Sequence, residues 1–120
     1  MPSSDPIQRF QDILDNIGRV EEYTMGMDLE TFREGGIACD AAERCLERIC
    51  EASKKLGSVA EELCPNIPWP KVRSLGNFLR HEYDAIERDL LWSMIERDLP
   101  ALKLAAGIAL VSLLKKEAEA

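Results

Sequence analysis

His81 is the single histidine of this 120-residue chain. It closes the run Lys71–His81 (KVRSLGNFLRH), which contains Lys71, Arg73 and Arg80 and no carboxylate, although acidic residues outnumber basic ones 22 to 15 overall. Glu82, Tyr83 and Asp84 follow directly. An imidazole titrates near neutral pH and can exchange a proton with a hydroxyl. A guanidinium, from Arg73 or Arg80, can balance negative charge developing on a phosphate, and the Asn77 amide can position that phosphate. Those groups suffice for metal-free attack of a ribose 2′-hydroxyl on its own phosphodiester. The same residues also describe the solvated side of an amphipathic helix with an ordinary surface histidine, and composition alone leaves both readings open.

A helix is what would bring these groups together. At about 100° per residue, Val72, Leu75 and Leu79, with Phe78 beside them, make an apolar stripe, while Arg73, Asn77, Arg80, His81 and Asp84 make a polar one. Pro70 suits the first turn of such a helix, and Pro65–Pro70 reads as an extended connector held down by Trp69. The helix is expected to end or bend near Tyr83 to Ile86. Tyr83 lies about 200° around a regular helix from His81, so the two share a pocket only if the helix is disturbed there; the alternative is a buried core tyrosine with a satisfied hydroxyl.

The rest of the chain supplies the scaffold. Asp5 and Pro6 start a first helix that carries Ile7, Phe10, Ile13, Leu14, Ile17 and Val20 to Tyr23. Asp28 can cap a short helix over Leu29 to Arg33. A second long run follows from Ile37, with a seam of Ala38, Ala42, Cys45, Ile49, Ala52 and Leu56, and Gly57 ends it. Ser58 to Leu63 can add one or two turns. Leu90, Leu91, Met94 and Ile95 build a further helix with Trp92 against the bundle, Asp98-Leu99-Pro100 marks a boundary, and Leu104 to Leu114 form a last helix apolar on a wide face. That width points to oligomerisation. Lys115 and Lys116 suit the negative end of this helix, and the acidic tail is expected to fray. The pattern predicts one all-α domain over residues 1–120, an up-and-down bundle of four to five main helices.

A net charge of −7 argues against broad nucleic-acid binding, so any RNA contact must be local. Cys39, Cys45, Cys50 and Cys64 form no C-x-x-C pair and have no second histidine to complete a zinc site; they read as buried small hydrophobes in a reducing compartment. Neither a metal nor a cofactor is expected. With no basic leader and no apolar run of the ~20 residues that span a bilayer, the expected location is cytoplasmic, away from membranes.

NFLRHEYD, the later LLWSMIERDLPALK and the earlier AAERCLERICEASKKLG together resemble the HepT-like branch of the HEPN superfamily over roughly residues 7 to 105. The resemblance implies a dimeric helical toxin that cleaves RNA and an MNT-type minimal nucleotidyltransferase as antitoxin partner. The family motif is an Arg, four to six residues beginning with a polar one, and a His, with Tyr commonly one residue later. His81 falls on the histidine, Asn77 on the polar position, and Tyr83 on the tyrosine that in the family can receive AMP from the partner. The position directly before Asn77 is Gly76, whereas Arg73 lies eight residues before the histidine and Arg80 immediately before it. Three functions therefore stand side by side: an RNA endonuclease toxin, a catalytically inactive partner and substrate of a nucleotidyltransferase, and a helical dimer without chemistry.

Overall fold

A computed structural model describes residues 5–80 and 85–120, with side chains of residues 76–80 and 85–87 outside the description. Every element among the described residues is helical. Helix α1 spans Pro6–Tyr23, and Asp5 caps it by accepting from the Ile7 N–H while Pro6 occupies the first turn. Helix α2, Leu29–Arg33, starts in a capping box in which the Asp28 carboxylate accepts from the Thr31 N–H and the Asp28 N–H donates to Thr31 Oγ1. Helix α3, Ile37–Leu56, buries the seam read from the sequence, with Ala42, Cys45, Ile49, Ala52 and Leu56 all in the core. Gly57 then turns the chain at φ 57° into α4, Ser58–Leu63, a conformation that only glycine adopts cheaply.

Helix α5 is Trp69–Arg80 and α6 is Ala85–Ser93. Of the expected bend near Tyr83 to Ile86, the first two residues lie outside the description, and the last two belong to α6. Trp69 is fully buried and its indole N–H donates to the Cys64 carbonyl at 2.9 Å, so it does pin the proline-rich connector.

The boundary at Asp98-Leu99-Pro100 is not a break. Met94–Asp98 forms a π-helical segment in which the Leu99 N–H reaches back to the Met94 carbonyl, and α7, Leu99–Glu119, continues directly. A proline ring collides with the carbonyl four residues back in an α-helix, and the wider π turn lets the chain pass Pro100 without stopping. Residues 85–119 thus run as one helical rod of about 52 Å at ~1.5 Å per residue, matching the 50 Å long dimension of the molecule. The acidic tail, expected to fray, is part of α7 as far as Glu119.

α1 packs against both α3 and α7, and α3 packs against α5 on its other side. The core between them holds Phe10, Ile13, Ile17, Leu46, Ile49 and Leu75. No helix among the described residues is long and apolar enough to cross a membrane.

Candidate functional site

The start of α5 is fixed from three directions. Val72 and Leu75 face the core. The Cys50 thiol donates to the Arg73 carbonyl at 3.0 Å. The Arg73 guanidinium makes a two-pronged ion pair with Glu61, both contacts at 2.7 Å, and donates to the carbonyls of Gly57 at 2.9 Å and Ser53 at 3.5 Å. Arg73 therefore closes the C-terminal end of α3 onto α4, satisfying carbonyls that a helix end leaves without partners. The pairing holds Glu61 below the usual carboxylate range and raises Arg73.

The far side of the signature segment is anchored as well. Arg33, at the end of α2, pairs through two nitrogens with the Asp89 carboxylate at 2.6 Å each, which lowers Asp89. Arg88 Nη1 donates to the Arg33 carbonyl at 2.6 Å, and its guanidinium lies against Gly35. Phe32 and Trp92 meet in a tilted aromatic contact, with ring centroids 5.2 Å apart. Arg73 on one flank and Arg88 and Asp89 on the other are thus tied to the body of the protein.

Of the residues singled out from the sequence, Arg73 is placed in the α3–α4–α5 junction just described. Asn77 and Arg80 occupy helical backbone positions of α5, on the same side as position 73 by helical spacing. Their side chains, and His81 and Tyr83 entirely, lie outside the described residues. Beside this segment a groove of about 440 Å³ opens between α5 and the rod, lined by Pro70, Lys71, Ser74 and Leu75 on one side and Leu90, Leu91, Ser93 and Met94 on the other. Ser74 stands one turn before Asn77. Lys71 is held at the groove by Asp98, 2.8 Å away. An apolar floor with a few polar groups is the usual make-up of a ligand site.

A model of the family described as "Ribonuclease HepT-like" matches residues 13–107. The chain belongs to the HepT-like ribonuclease family. Among relatives of this HepT-like protein, a Methanocaldococcus jannaschii protein named "Putative RNase MJ1380" is 36% identical over 92 residues, covering 77% of this chain and 84% of the relative. A Thermococcus cleftensis protein named "Probable ribonuclease HepT" is 34% identical over 98 residues, 78% of this chain and 84% of the relative. No solved structure matches the chain.

The HepT-like chain also uses residues that local sequence did not single out. Glu61, Asp89 and Arg88 reach partners 12, 56 and 55 positions away, a separation at which helical periodicity carries no signal. Cys39 has a subtler neighbour: its thiol contacts Glu43 at 3.5 Å, and burial together with that carboxylate pushes it up to about 12. Among the described residues no group of three or more His, Cys, Asp or Glu side chains could hold a metal ion.

Proposed function

We propose that this HepT-like chain is the toxin of a two-component system, a homodimeric, metal-independent RNA endonuclease of the cytoplasm restrained by an MNT-type nucleotidyltransferase. The observation that carries the reading is the family match together with His81 on the motif histidine. His81 takes the proton from a ribose 2′-hydroxyl; the freed oxygen attacks the adjacent phosphorus; and the bond to the 5′-oxygen breaks, that oxygen taking up a proton as it leaves. Arg80 offsets the charge that builds on the phosphorus oxygens, and Asn77 positions them. Arg80 is preferred for this role because the guanidinium of Arg73 already has Glu61 and two carbonyls as partners. Tyr83 is the residue on which the partner enzyme leaves AMP. The groove along Ser74 and Ser93 gives an RNA strand a place beside the segment, consistent with a local contact by an acidic protein.

The test is cleavage of single-stranded RNA with EDTA present. His81→Ala should slow it by roughly 10²- to 10⁴-fold, the usual worth of a general acid or base, with the helical circular dichroism unchanged. Cleavage that survives the substitution, or that EDTA abolishes, defeats the mechanism. Gly76, standing where the motif carries its arginine, favours a second reading in which the chain is an inactive partner and substrate of the nucleotidyltransferase. That reading is tested by intact mass after co-expression with such an enzyme: an added adenylate should disappear in Tyr83→Phe.

A further inference from the structure

The groove between α5 and the rod carries polar groups on the edge of an apolar trough. Leu75, Leu91 and Met94 are nearly buried and make its floor, whereas Pro70 and Leu90, the latter 53% exposed, stand on opposite walls. The Ser74 and Ser93 hydroxyls and the Lys71 side chain complete the lining. Ser74 Oγ donates to the Lys71 carbonyl at 2.9 Å, so its lone pairs remain to accept a hydrogen bond from a ligand.

The π-helical segment shapes both floor and rim, since Met94 opens it and Asp98 closes it. Such turns inside longer helices often accompany functional sites. The Asp98 carboxylate reaches across to Lys71 at 2.8 Å and fixes the ammonium at the groove. An ammonium has three donors, so a second anion can join without displacing the first. Behind Leu75 and Met94 lies a void of about 70 Å³, bounded also by Ile49, Val72, Leu99 and Leu102. Methionine adapts readily where packing is loose, so the floor can deepen when a flat group presses on it.

We propose that this groove binds one unpaired nucleotide of an RNA strand, its base lying on Leu91 and Met94 between Pro70 and Leu90 and its phosphate on Lys71. Every base has an apolar face, so aliphatic walls hold one whatever its identity, while the two hydroxyls meet the polar edge. A base inside a duplex is covered on both faces and cannot enter. Lys71 stands six residues before Asn77, about 9 Å along α5. The phosphate it holds therefore belongs to a nucleotide beside the bond being cut. In a chain of net charge −7, a cation fixed at the groove supplies the local contact that phosphate needs.

The ligand's identity rests on the ribonuclease reading, but binding and cleavage are measured apart. The experiment is fluorescence anisotropy of the full chain with a short, labelled, single-stranded RNA carrying 2′-fluoro groups, which lacks the attacking hydroxyl and cannot be cut. The wild type should bind it, and His81→Ala should bind it too. Lys71→Ala should weaken binding and lower the slope of log affinity against log salt by about 0.7, the share of one phosphate contact on a single strand. Leu90→Glu, at an exposed position, should weaken binding by roughly 5- to 100-fold, the usual worth of one packed base. Lys103→Ala removes a comparably exposed lysine, paired with Glu21 on α1 and outside the groove, and should change neither affinity nor slope. Circular dichroism checks that each variant is folded.

A wild type that does not bind overturns the proposal, as does a duplex that binds as tightly as the single strand. Equal losses from Lys71→Ala and Lys103→Ala, or wild-type affinity in Leu90→Glu, overturn it as well. RNA cleavage without any groove dependence of binding leaves the ribonuclease reading standing alone. Groove-dependent binding without cleavage leaves the nucleotide site standing and removes the chemistry.

Discussion

Arg73 and Glu61 meet through two parallel 2.7 Å contacts, and Arg73 goes on to the carbonyls of Gly57 and Ser53. One side chain thus joins the end of α3, Glu61 of α4 and the start of α5. Removing it as Arg73→Ala should cost about 1–2 kcal/mol, since the pair is partly exposed but two helix-end carbonyls lose their donor. Thermal unfolding followed by circular dichroism checks the size. Arg73→Lys should recover little of the loss, because an ammonium cannot reproduce the two-pronged geometry. Cleavage per folded molecule should fall far more for Arg80→Ala than for Arg73→Ala; the reverse order would return Arg73 to the chemistry.

Acid should weaken the protein through two carboxylates of the same kind. Glu61 and Asp89 are held below their ordinary values of 4.5 and 3.8 by Arg73 and Arg33. Their contribution is complete above those values and is lost as the pH falls through the lower folded-state ones. Glu43 has the opposite sign: burial raises it, so its ionisation at neutral pH opposes folding, and protonation on mild acidification relieves the cost. Melting temperature against pH should therefore peak on the mildly acidic side and decline modestly below about 4.5 through these exposed pairs. Glu43→Gln should lift the neutral side of that curve, and Glu61→Gln should flatten the acid side.

Gly35 combines a φ of 79° with a close neighbour, since a Cβ placed there would stand 3.3 Å from an Arg88 guanidinium nitrogen. Gly35→Ala should destabilise by about 1–2 kcal/mol from the left-handed backbone alone. It should also disturb the Arg88 contact to the Arg33 carbonyl that anchors α6. Faster amide exchange across α2 and α6, with α1 and α3 unchanged, is the expected signature.

The four cysteines are free and buried. Cys39, pushed up to about 12, holds almost no thiolate at neutral pH, and burial raises Cys64 as well. An aromatic disulfide reagent should find essentially no reactive thiol in the native protein and all four after denaturation. Rapid native labelling of Cys39 would contradict its placement.

Helices α1 to α4 were legible from the chain because their signals are local: Asp5 and Asp28 as caps, Gly57 as a stop, and the Ala42-Cys45-Ile49-Ala52-Leu56 seam as a face. Trp69 as the pin of its connector follows the same logic, a large aromatic between prolines with nowhere else to pack. Local signals misjudged Pro100, which reads as a break in any sequence window. Only the continuous backbone shows that a π turn carries the rod past it. The family and the histidine, amide and tyrosine of its motif also come from the chain alone, since they are residue types at fixed spacing.

What tertiary structure decided is where the charges are used. Arg73 and Arg80 are equivalent as cations in a sequence, but a guanidinium's partners come from other helices, and Glu61 becomes a neighbour of Arg73 only once the Pro65–Pro70 connector folds α5 back onto α3. The two faces of α7 are similarly alike in composition; packing on α1 buries one and leaves Leu104, Ile108 and Val111 outside. Periodicity reports that a side chain lies on a face, whereas the element it meets there is set by contacts between residues far apart in the chain.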